Sequence, residues 1–331
     1  MAIDVTTVSP GAAVLWAFSF SPDGAGRHIA GSDIDAVLAT AGGWVWIHAG
    51  LADTRCRMWV ERHAPISAAG REILLGADEH LQLNGTQGEV TGVLPDLQRE
   101  LADASMDFAR FRFVMTERML ITARRHPLHA IELTRRAIEG GAQFPAPMAL
   151  LDGMVDQFVD AIEQLGEQLG DELDIVEERV LRDDLGDERQ MIARVRLQVV
   201  RVRRQVSQLK TLFQRAEGRI AAHNPSLAIP VRMLFQKIDA LDHDFGSIQE
   251  RSRLLQDDVA TKIAAVTNRR LFTLSILTAC LLPPTLVTGI FGMNTKDLPL
   301  QQADGGTWYA LAIAAASAGV AYWALRRLRA L

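Results

Sequence analysis

Two long uncharged runs lie in the C-terminal part of the chain and predict a pair of membrane-spanning helices. Residues 271–295 and 305–325 contain no charged side chain, and each run reaches the roughly 20 apolar residues that a helix needs to cross a bilayer. The second run is rich in alanine, but aromatic residues typical of a membrane interface lie near its ends: Trp308, Tyr309, Tyr322 and Trp323. We therefore predict two spans, with the lipid bilayer as a partner.

Basic residues flank the two runs and predict their orientation. Arg269 and Arg270 precede the first run, and the segment 326–331 after the second is a basic tail. Positive charges favour the cytoplasmic side, so we predict a protein of the cytoplasmic (inner) membrane with both termini in the cytoplasm. Residues 296–304 then form an outer loop, which carries three charges: Lys296, Asp297 and Asp304.

A heptad pattern precedes the first span and predicts a long stalk helix. Steps of three and four residues reach positions that are apolar or aromatic except for one serine: Val231, Leu234, Ile238, Leu241, Phe245, Ile248, Ser252, Leu255 and Val259. No proline interrupts residues 231–282, so we predict one helix over 231–292, about 93 Å long at 1.5 Å per residue. Such a rod has no partner of equal length in the chain. We predict that it packs against copies of itself as a coiled coil, in a homo-oligomer.

The N-terminal part has a mixed pattern, which predicts an α+β fold. Aromatic and β-branched runs at 13–20 and 44–50 predict strands, and two alternating runs around residues 116–118 predict a β-hairpin. Helical patterns occupy 94–104 and 128–139. The fold class is therefore an α+β cytosolic domain followed by a long helical stalk and two C-terminal transmembrane helices.

These patterns divide the chain into seven predicted segments. They are a cytosolic α+β domain (1–147), a cytosolic helical segment (148–224), the stalk helix (225–270), the first span and pore (271–295), the outer loop (296–304), the second span (305–325) and the basic cytosolic tail (326–331).

The composition and motifs of the chain argue against several classes of protein. The net charge of −5 lacks the basic surplus of a nucleic-acid-binding domain, so no nucleic-acid partner is expected. Two cysteines cannot form the disulfide framework of a secreted scaffold. The chain has no phosphate-binding loop, Gly-x-Ser-x-Gly motif or Cys-x-x-Cys motif, and we expect neither an enzyme nor a bound cofactor.

One face of the predicted first span is polar. Continued steps of three and four residues give a stripe of predicted pore-lining positions: Asn268, Leu271, Ser275, Thr278, Leu282, Thr285 and Gly289. Thr273, Cys280 and Thr288 lie off this stripe, so the segregation is imperfect. A ring of such helices would line a wet pore, whereas small and hydroxyl-bearing residues also occur where membrane helices pack tightly.

Pro283 and Pro284 favour the pore over simple packing. Each proline removes a backbone donor, which leaves the carbonyls of Ala279 and Cys280 without a helical partner. Such carbonyls are tolerated at membrane depth only where protein or a wet cavity covers them. Because the stripe has no carboxylate or histidine, we expect it to act on a largely hydrated divalent cation, without tight coordination of Zn²⁺.

The end of the first span carries a signature that resembles a known family. It reads LLPPTLVTGIFGMNTKDLP, with Gly292, Met293 and Asn294 at the end of the helix. With the long helix, the Asn-Arg-Arg before the span and the second span, it resembles the CorA superfamily of two-span Gly-Met-Asn metal-ion transporters over nearly the whole chain. The resemblance is greatest to the zinc-transporting ZntB branch. It implies a funnel-shaped homopentamer with a pore formed by five first spans.

The resemblance also implies roles along that pore. Gly292, Met293 and Asn294 would form the outer selectivity ring, with Asn294 holding a hydrated cation at the mouth. Thr285 and Gly289 would line the pore below the ring. The steps of three and four residues along the helix identify the same two positions without reference to the family.

Candidate sites on the cytosolic side follow from both arguments. By resemblance, Asn268 lies near the cytosolic entrance, and Asp257, beside Asp258, lies where magnesium-branch members have a regulatory metal carboxylate. Asp239 and His243 are four residues apart and share a helix face. They are a second candidate metal pair, although a solvated acidic face is favoured.

We therefore predict a transporter of divalent metal ions, with Zn²⁺ favoured and proton coupling suggested by the ZntB branch. A CorA-type channel for Mg²⁺, Co²⁺ or Ni²⁺ is the alternative within the superfamily. An oligomeric scaffold that the spans only tether to the membrane is the alternative of a different class. The scaffold explains the heptads but not the polar stripe, the double proline or Gly-Met-Asn.

Overall fold

Seven strands in the N-terminal half of the chain form one mixed sheet. The computed structural model of the protein describes residues 14–39, 42–86, 88–98, 107–182, 186–293 and 305–328. The strands are β1 (Trp16–Phe20), β2 (Gly26–Ile29), β3 (Trp44–Gly50), β4 (Gln82–Thr86), β5 (Glu89–Leu97), β6 (Phe108–Met115) and β7 (Met119–Arg124). They are ordered β2-β1-β3-β7-β6-β5-β4. β3 and β7 run parallel, and the other neighbouring strands run antiparallel.

Short helices cover this sheet, and a mixed α/β fold is thereby confirmed. They are α1 (Ile34–Ala39), α2 (Thr54–Arg62), α3 (Ala68–Leu75) and α4 (His129–Glu139). The central strand β3 reads WVWIHAG and is buried along almost its whole length, as expected for a strand covered on both faces. The predicted strands at β1 and β3, the hairpin of β6 and β7 and the helix α4 are all present.

The predicted helix over 94–104 is wrong where the structure describes it. Leu94 to Leu97 belong to β5, and this strand pairs with β6 from Val90 to Leu97. Pro95 is tolerated because the pairing of β5 with β4 ends at Val93, so the proline faces no strand on that side. Residues 99–106 lie outside the described part of the chain.

Three long helices follow, and they carry most of the remaining chain. They are α5 (Pro147–Leu181), α6 (Glu188–His223) and α7 (Ala228–Gly292), and a last helix, α8 (Gly306–Leu328), follows later in the chain. The chain divides into two compact units: Met1–Leu181 with Gln190–Arg253, and Arg182–Arg189 with Leu254–Leu331. The first unit therefore holds the sheet, all of α5, most of α6 and the first part of α7.

Within the first unit, the seam of α7 is covered by the same chain. Phe245 is 1% exposed, and its ring lies 3.4 Å from where a Cβ on Gly166 of α5 would stand. Lys237 of α7 donates to Asp152 of α5 at 3.1 Å. Lys210 of α6 also binds Asp239 and Asp242 of α7. The prediction that this seam packs against other copies is thus wrong here, because α5 and α6 of the same chain, both shorter than α7, cover the rod.

The second unit contains two helices long and apolar enough to cross a membrane. Large apolar side chains are exposed along both of them, including Leu271, Leu282 and Leu286 on α7 and Trp308 and Trp323 on α8. Exposed apolar surface on this scale marks a lipid-facing or subunit-facing region rather than the surface of a soluble domain.

Candidate cation pathway

The predicted pore stripe lies on one uninterrupted helix. α7 continues through Pro283 and Pro284 and ends at Gly292. All seven predicted pore-lining residues are exposed in the single chain: Asn268, Leu271, Ser275, Thr278, Leu282, Thr285 and Gly289. Their common face is therefore open to water, lipid or other subunits.

The Gly-Met-Asn signature begins at the end of α7. Gly292 is the last helical residue, and the backbone N–H of Met293 donates to the carbonyl of Ile290 at 3.2 Å. Asn294 lies outside the described residues, as do the three charges of the outer loop: Lys296, Asp297 and Asp304. The selectivity ring stays a prediction from the motif.

The hydroxyls of the stripe share one geometry, which decides what they offer to an ion. Each donates to the carbonyl four residues earlier, at 2.8–2.9 Å: Ser275 to Leu271, Thr278 to Leu274, and Thr285 to Leu281. A hydroxyl has one hydrogen and two acceptor lone pairs, so its only hydrogen is committed to the helix. The outward face is then a row of oxygen acceptors, which suits a cation or its hydration shell and disfavours an anion.

The double proline adds acceptors near the middle of the span. The proline nitrogen has no hydrogen, so Pro283 and Pro284 cannot bond the carbonyls of Ala279 and Cys280 as other helical residues would. Thr278, which carries one of the acceptor hydroxyls, immediately precedes Ala279. The two carbonyls freed by the prolines therefore follow the Thr278 hydroxyl directly along the chain.

Two leucines interrupt the row of acceptors. Leu271 and Leu282 belong to the stripe and are 56% and 63% exposed. They are separated by about three helical turns and lie on either side of Ser275 and Thr278. Apolar rings in a pore can close it by excluding water, so the predicted pore face carries both oxygen acceptors and large apolar side chains.

One member of the second candidate metal pair, Asp239, is already engaged in an ion pair. Asp239 accepts from Lys210 of α6 at 2.6 Å, and Asp242 accepts from the same ammonium at 3.0 Å. Hydrogen bonds to Asp239 and Asp242 raise the pKa of Lys210. Within the described ranges, no group of three or more His, Cys, Asp or Glu side chains is arranged to hold a metal. A metal bound by Asp239 and His243 would have to displace this lysine.

Asp257 and Asp258 are exposed on α7. The hydroxyl of Thr261 donates to the backbone carbonyl of Asp257 at 2.9 Å. Among the described residues, these two carboxylates belong to no group of three or more candidate metal ligands.

Ion pairs between the long helices are the feature that the sequence reasoning missed. Lys237 on α7 binds both Asp152 and Asp156 of α5. Burial lowers the pKa of Lys237, but hydrogen bonds to Asp156 and Asp152 outweigh this and raise it overall. The four-residue spacing of the two aspartates on α5 was a usable signal, since it places them on one helix face.

Comparison with known proteins agrees with this architecture. Residues 41–327 match the family described as "CorA-like Mg2+ transporter protein". The chain belongs to this CorA-like family. The resemblance inferred from Gly-Met-Asn and the two spans is therefore confirmed.

Two relatives are similar to the chain over nearly its whole length. The zinc transport protein ZntB of Yersinia enterocolitica is 24% identical over 313 residues, which cover 92% of this chain and 93% of that protein. The divalent cation transporter CmaX of Pseudomonas aeruginosa is 22% identical over 319 residues, which cover 96% of both.

Solved structures confirm the fold class. Full-length CmaX superposes with a TM-score of 0.79 at 21% identity, covering 98% of this chain and 99% of that one. The CorA magnesium transporter of Methanocaldococcus jannaschii has a TM-score of 0.60 at 15% identity, covering 94% and 97%. The arrangement of an α/β domain, a long helix and two C-terminal apolar helices is thus that of the CorA-like fold.

Proposed function

We propose that this CorA-like protein transports divalent cations across the cytoplasmic membrane, with Zn²⁺ as the favoured ion. The observation that carries the proposal is the exposed stripe of α7. Its hydroxyls donate their hydrogens to backbone carbonyls of the same helix, so only oxygen lone pairs face outward. The zinc transport protein ZntB among its relatives supports the choice of ion. A CorA-type channel for Mg²⁺, Co²⁺ or Ni²⁺ is the second candidate, favoured by the description of the matching family.

The pathway needs several subunits, because one helix cannot enclose a pore. We propose a homopentamer in which five copies of residues 271–295 surround the ion path and five Asn294 side chains form a ring at its outer mouth. Residues 1–270 and the tail 326–331 lie in the cytoplasm in this arrangement. The exposed apolar faces of α7 and α8 support burial against lipid and neighbouring subunits.

The ion crosses with much of its water. Hard divalent cations lose water reluctantly, and neutral oxygens can hold a hydrated ion through its water molecules. Residues 271–295 contain no carboxylate and no histidine, so a proton that drives uptake would be bound elsewhere in the protein. The electrical gradient alone would suffice for the channel alternative.

Flux through the reconstituted protein tests the proposal. The full-length chain is placed in proteoliposomes that contain a zinc- or magnesium-sensitive dye, with and without an inward proton gradient. Zinc flux that rises with the gradient and disappears in Asn294→Ala is the expected result. Magnesium flux that ignores the gradient would assign the channel, and absence of both fluxes would favour the membrane-tethered scaffold.

A matched pair of threonines tests the stripe itself. Thr278 and Thr273 are both exposed, and each donates to the carbonyl four residues earlier, at 2.9 and 3.0 Å. Five residues separate them, so they face directions about 140° apart on the helix. Thr278→Val removes an acceptor from the stripe, while Thr273→Val removes the same group from another face.

We expect Thr278→Val to lower cation flux and Thr273→Val to leave it near the wild-type level. A lost neutral hydrogen bond of about 0.5–1.5 kcal/mol corresponds to roughly a 2- to 10-fold slower step if it stabilises the rate-limiting barrier. Equal flux in the two variants would refute the pore face.

A further inference from the structure

A basic cavity lies in the first unit. It has a volume of about 840 Å³ and lies between the edge strand β4 and helix α6. Four arginines line it: Arg110 from β6, and Arg204, Arg215 and Arg219 from α6. Its size falls within the range of about 300–1,000 Å³ that is typical of small-molecule sites.

The α6 side of the cavity is a regular stripe. Arg204, Gln208, Thr211, Arg215 and Arg219 follow at steps of four, three, four and four residues. This spacing places them on one face of the helix. Three guanidinium groups, an amide and a hydroxyl therefore face one cavity from a single rigid element.

The positive charge of the cavity is not neutralised from within. Glu79 is the one carboxylate among the described lining residues, so four arginines against one glutamate leave a formal charge of 4 − 1 = +3. None of the four arginines forms an ion pair with a described residue. Lys210, on the opposite side of α6, does bind the carboxylates of α7.

The arginine from the sheet is held in place by neutral oxygens. Arg110 donates to the amide oxygen of Gln205 at 2.8 Å and to the backbone carbonyl of Glu79 at 3.3 Å. Arg219 reaches across from α6 to the carbonyl of Leu83 at 3.3 Å. Burial lowers the pKa of Arg110, and the negative charge of Glu79 offsets this only in part.

We propose that this cavity binds a soluble polyphosphate anion, of the class that includes the nucleoside triphosphates. Guanidinium forks match phosphate oxygens in geometry and charge. A single phosphate ion is much smaller than the cavity, so the ligand carries further groups, and the amides of Gln82, Asn84 and Gln208 are available to them. An acidic helix of a second subunit fits less well, because a stable protein contact has an apolar core and this cavity is lined mainly by polar side chains.

Direct binding tests this inference independently of transport. Calorimetric titration of the full-length protein in detergent, in a metal-free buffer with chelator, compares ATP, pyrophosphate and inorganic phosphate. Vesicles that contain a phosphoinositide test a lipid headgroup as the source of the same phosphates. We expect ATP and pyrophosphate to bind and inorganic phosphate to bind much more weakly.

Two double variants with equal loss of charge locate the site. Arg204→Gln/Arg215→Gln removes lining residues that are exposed, while Arg194→Gln/Arg201→Gln removes exposed arginines of α6 outside the lining. We expect Arg204→Gln/Arg215→Gln to weaken ATP binding roughly 10- to 100-fold, the range for one lost charge-assisted hydrogen bond or more. We expect Arg194→Gln/Arg201→Gln to leave ATP binding within about twofold of the wild type, because surface charges are screened by salt.

Four outcomes would overturn the proposal. The first three are absence of ATP and pyrophosphate binding to the wild type, equal weakening in both double variants, and loss of subunit assembly in Arg204→Gln/Arg215→Gln as measured by mass photometry. The last would identify the cavity as a contact between copies. Binding to phosphoinositide vesicles alone would also overturn it, because the ligand would then be a membrane lipid. Unchanged thermal unfolding shows that the variants fold.

Discussion

Truncation of Phe245 tests whether the seam of α7 is closed within one chain. The ring is 1% exposed and packs over Gly166 of α5. Phe245→Ala removes this ring from the interface between α5 and α7 in the first unit. The substitution adds no side-chain volume elsewhere to fill this space, so a cavity remains.

The expected cost is large. Truncating a buried phenylalanine to alanine destabilises a protein by about 3–5 kcal/mol, because apolar burial is lost and the cavity is only partly refilled. Domains are typically stable by about 5–15 kcal/mol, so the variant should still fold but unfold at a much lower urea concentration. Ile229→Ala is the matched control on the same helix, since Ile229 is 72% exposed, and it should change stability by less than about 0.5 kcal/mol.

Urea unfolding of the full-length protein in detergent, followed by far-UV circular dichroism, measures both variants. Each is measured at two protein concentrations that differ tenfold. Contacts between subunits make stability depend on protein concentration, whereas contacts within a chain do not. The loss caused by Phe245→Ala should therefore be the same at both concentrations. A loss no greater than that of Ile229→Ala, or one that grows on dilution, would refute the packing of the seam within the chain.

Three further substitutions test the packing and charge of the first unit. Gly166→Ala should stabilise by about 0.5–1 kcal/mol, because an added Cβ finds ordinary contacts and a helical glycine costs entropy; a lower urea midpoint would contradict this. Gly92→Ala should destabilise by about 1–3 kcal/mol, since its Cβ would stand 2.6 Å from the Phe113 ring, and an unchanged midpoint would count against it. The hydrogen-bonded Arg135 guanidinium holds the pKa of Glu132 at about 2 against an ordinary 4.5, so the stability it provides is complete above pH 4.5 and is lost as pH falls towards 2. The midpoint temperature of thermal unfolding should thus fall more steeply in the wild type than in Glu132→Gln as the pH is lowered. Parallel curves of this temperature against pH would refute the contribution of Glu132.

Local pattern was sufficient for much of the fold and for the stripe of the candidate pathway. The alternation around residues 116–118 predicted the hairpin, and the run WVWIHAG predicted β3. The steps that place Ser275 and Thr278 on one face depend only on helical periodicity. What periodicity could not reveal is where their hydroxyl hydrogens go, since that depends on side-chain rotamers.

The errors came where contacts distant in sequence decided the outcome. Residues 94–97 have a helical pattern, yet pairing with β6 makes them a strand. The heptads of α7 correctly predicted an apolar seam, but the heptad pattern does not indicate which helix packs against it. Here α5, with Lys237 bound to Asp152 and Asp156, covers it.

The sequence by itself determined the two spans, the polar face of the first and the membership in the CorA-like family. A membrane helix satisfies its own backbone hydrogen bonds, so its length, its faces and its Gly-Met-Asn end can be read along the chain. Only the tertiary structure decided which helix closes the stalk seam, which aspartates are already bound by lysines, and that Arg110 joins the arginines of α6 around one cavity. These depend on residues tens to more than a hundred positions apart, whose proximity comes from packing the whole unit and is not encoded in any local pattern.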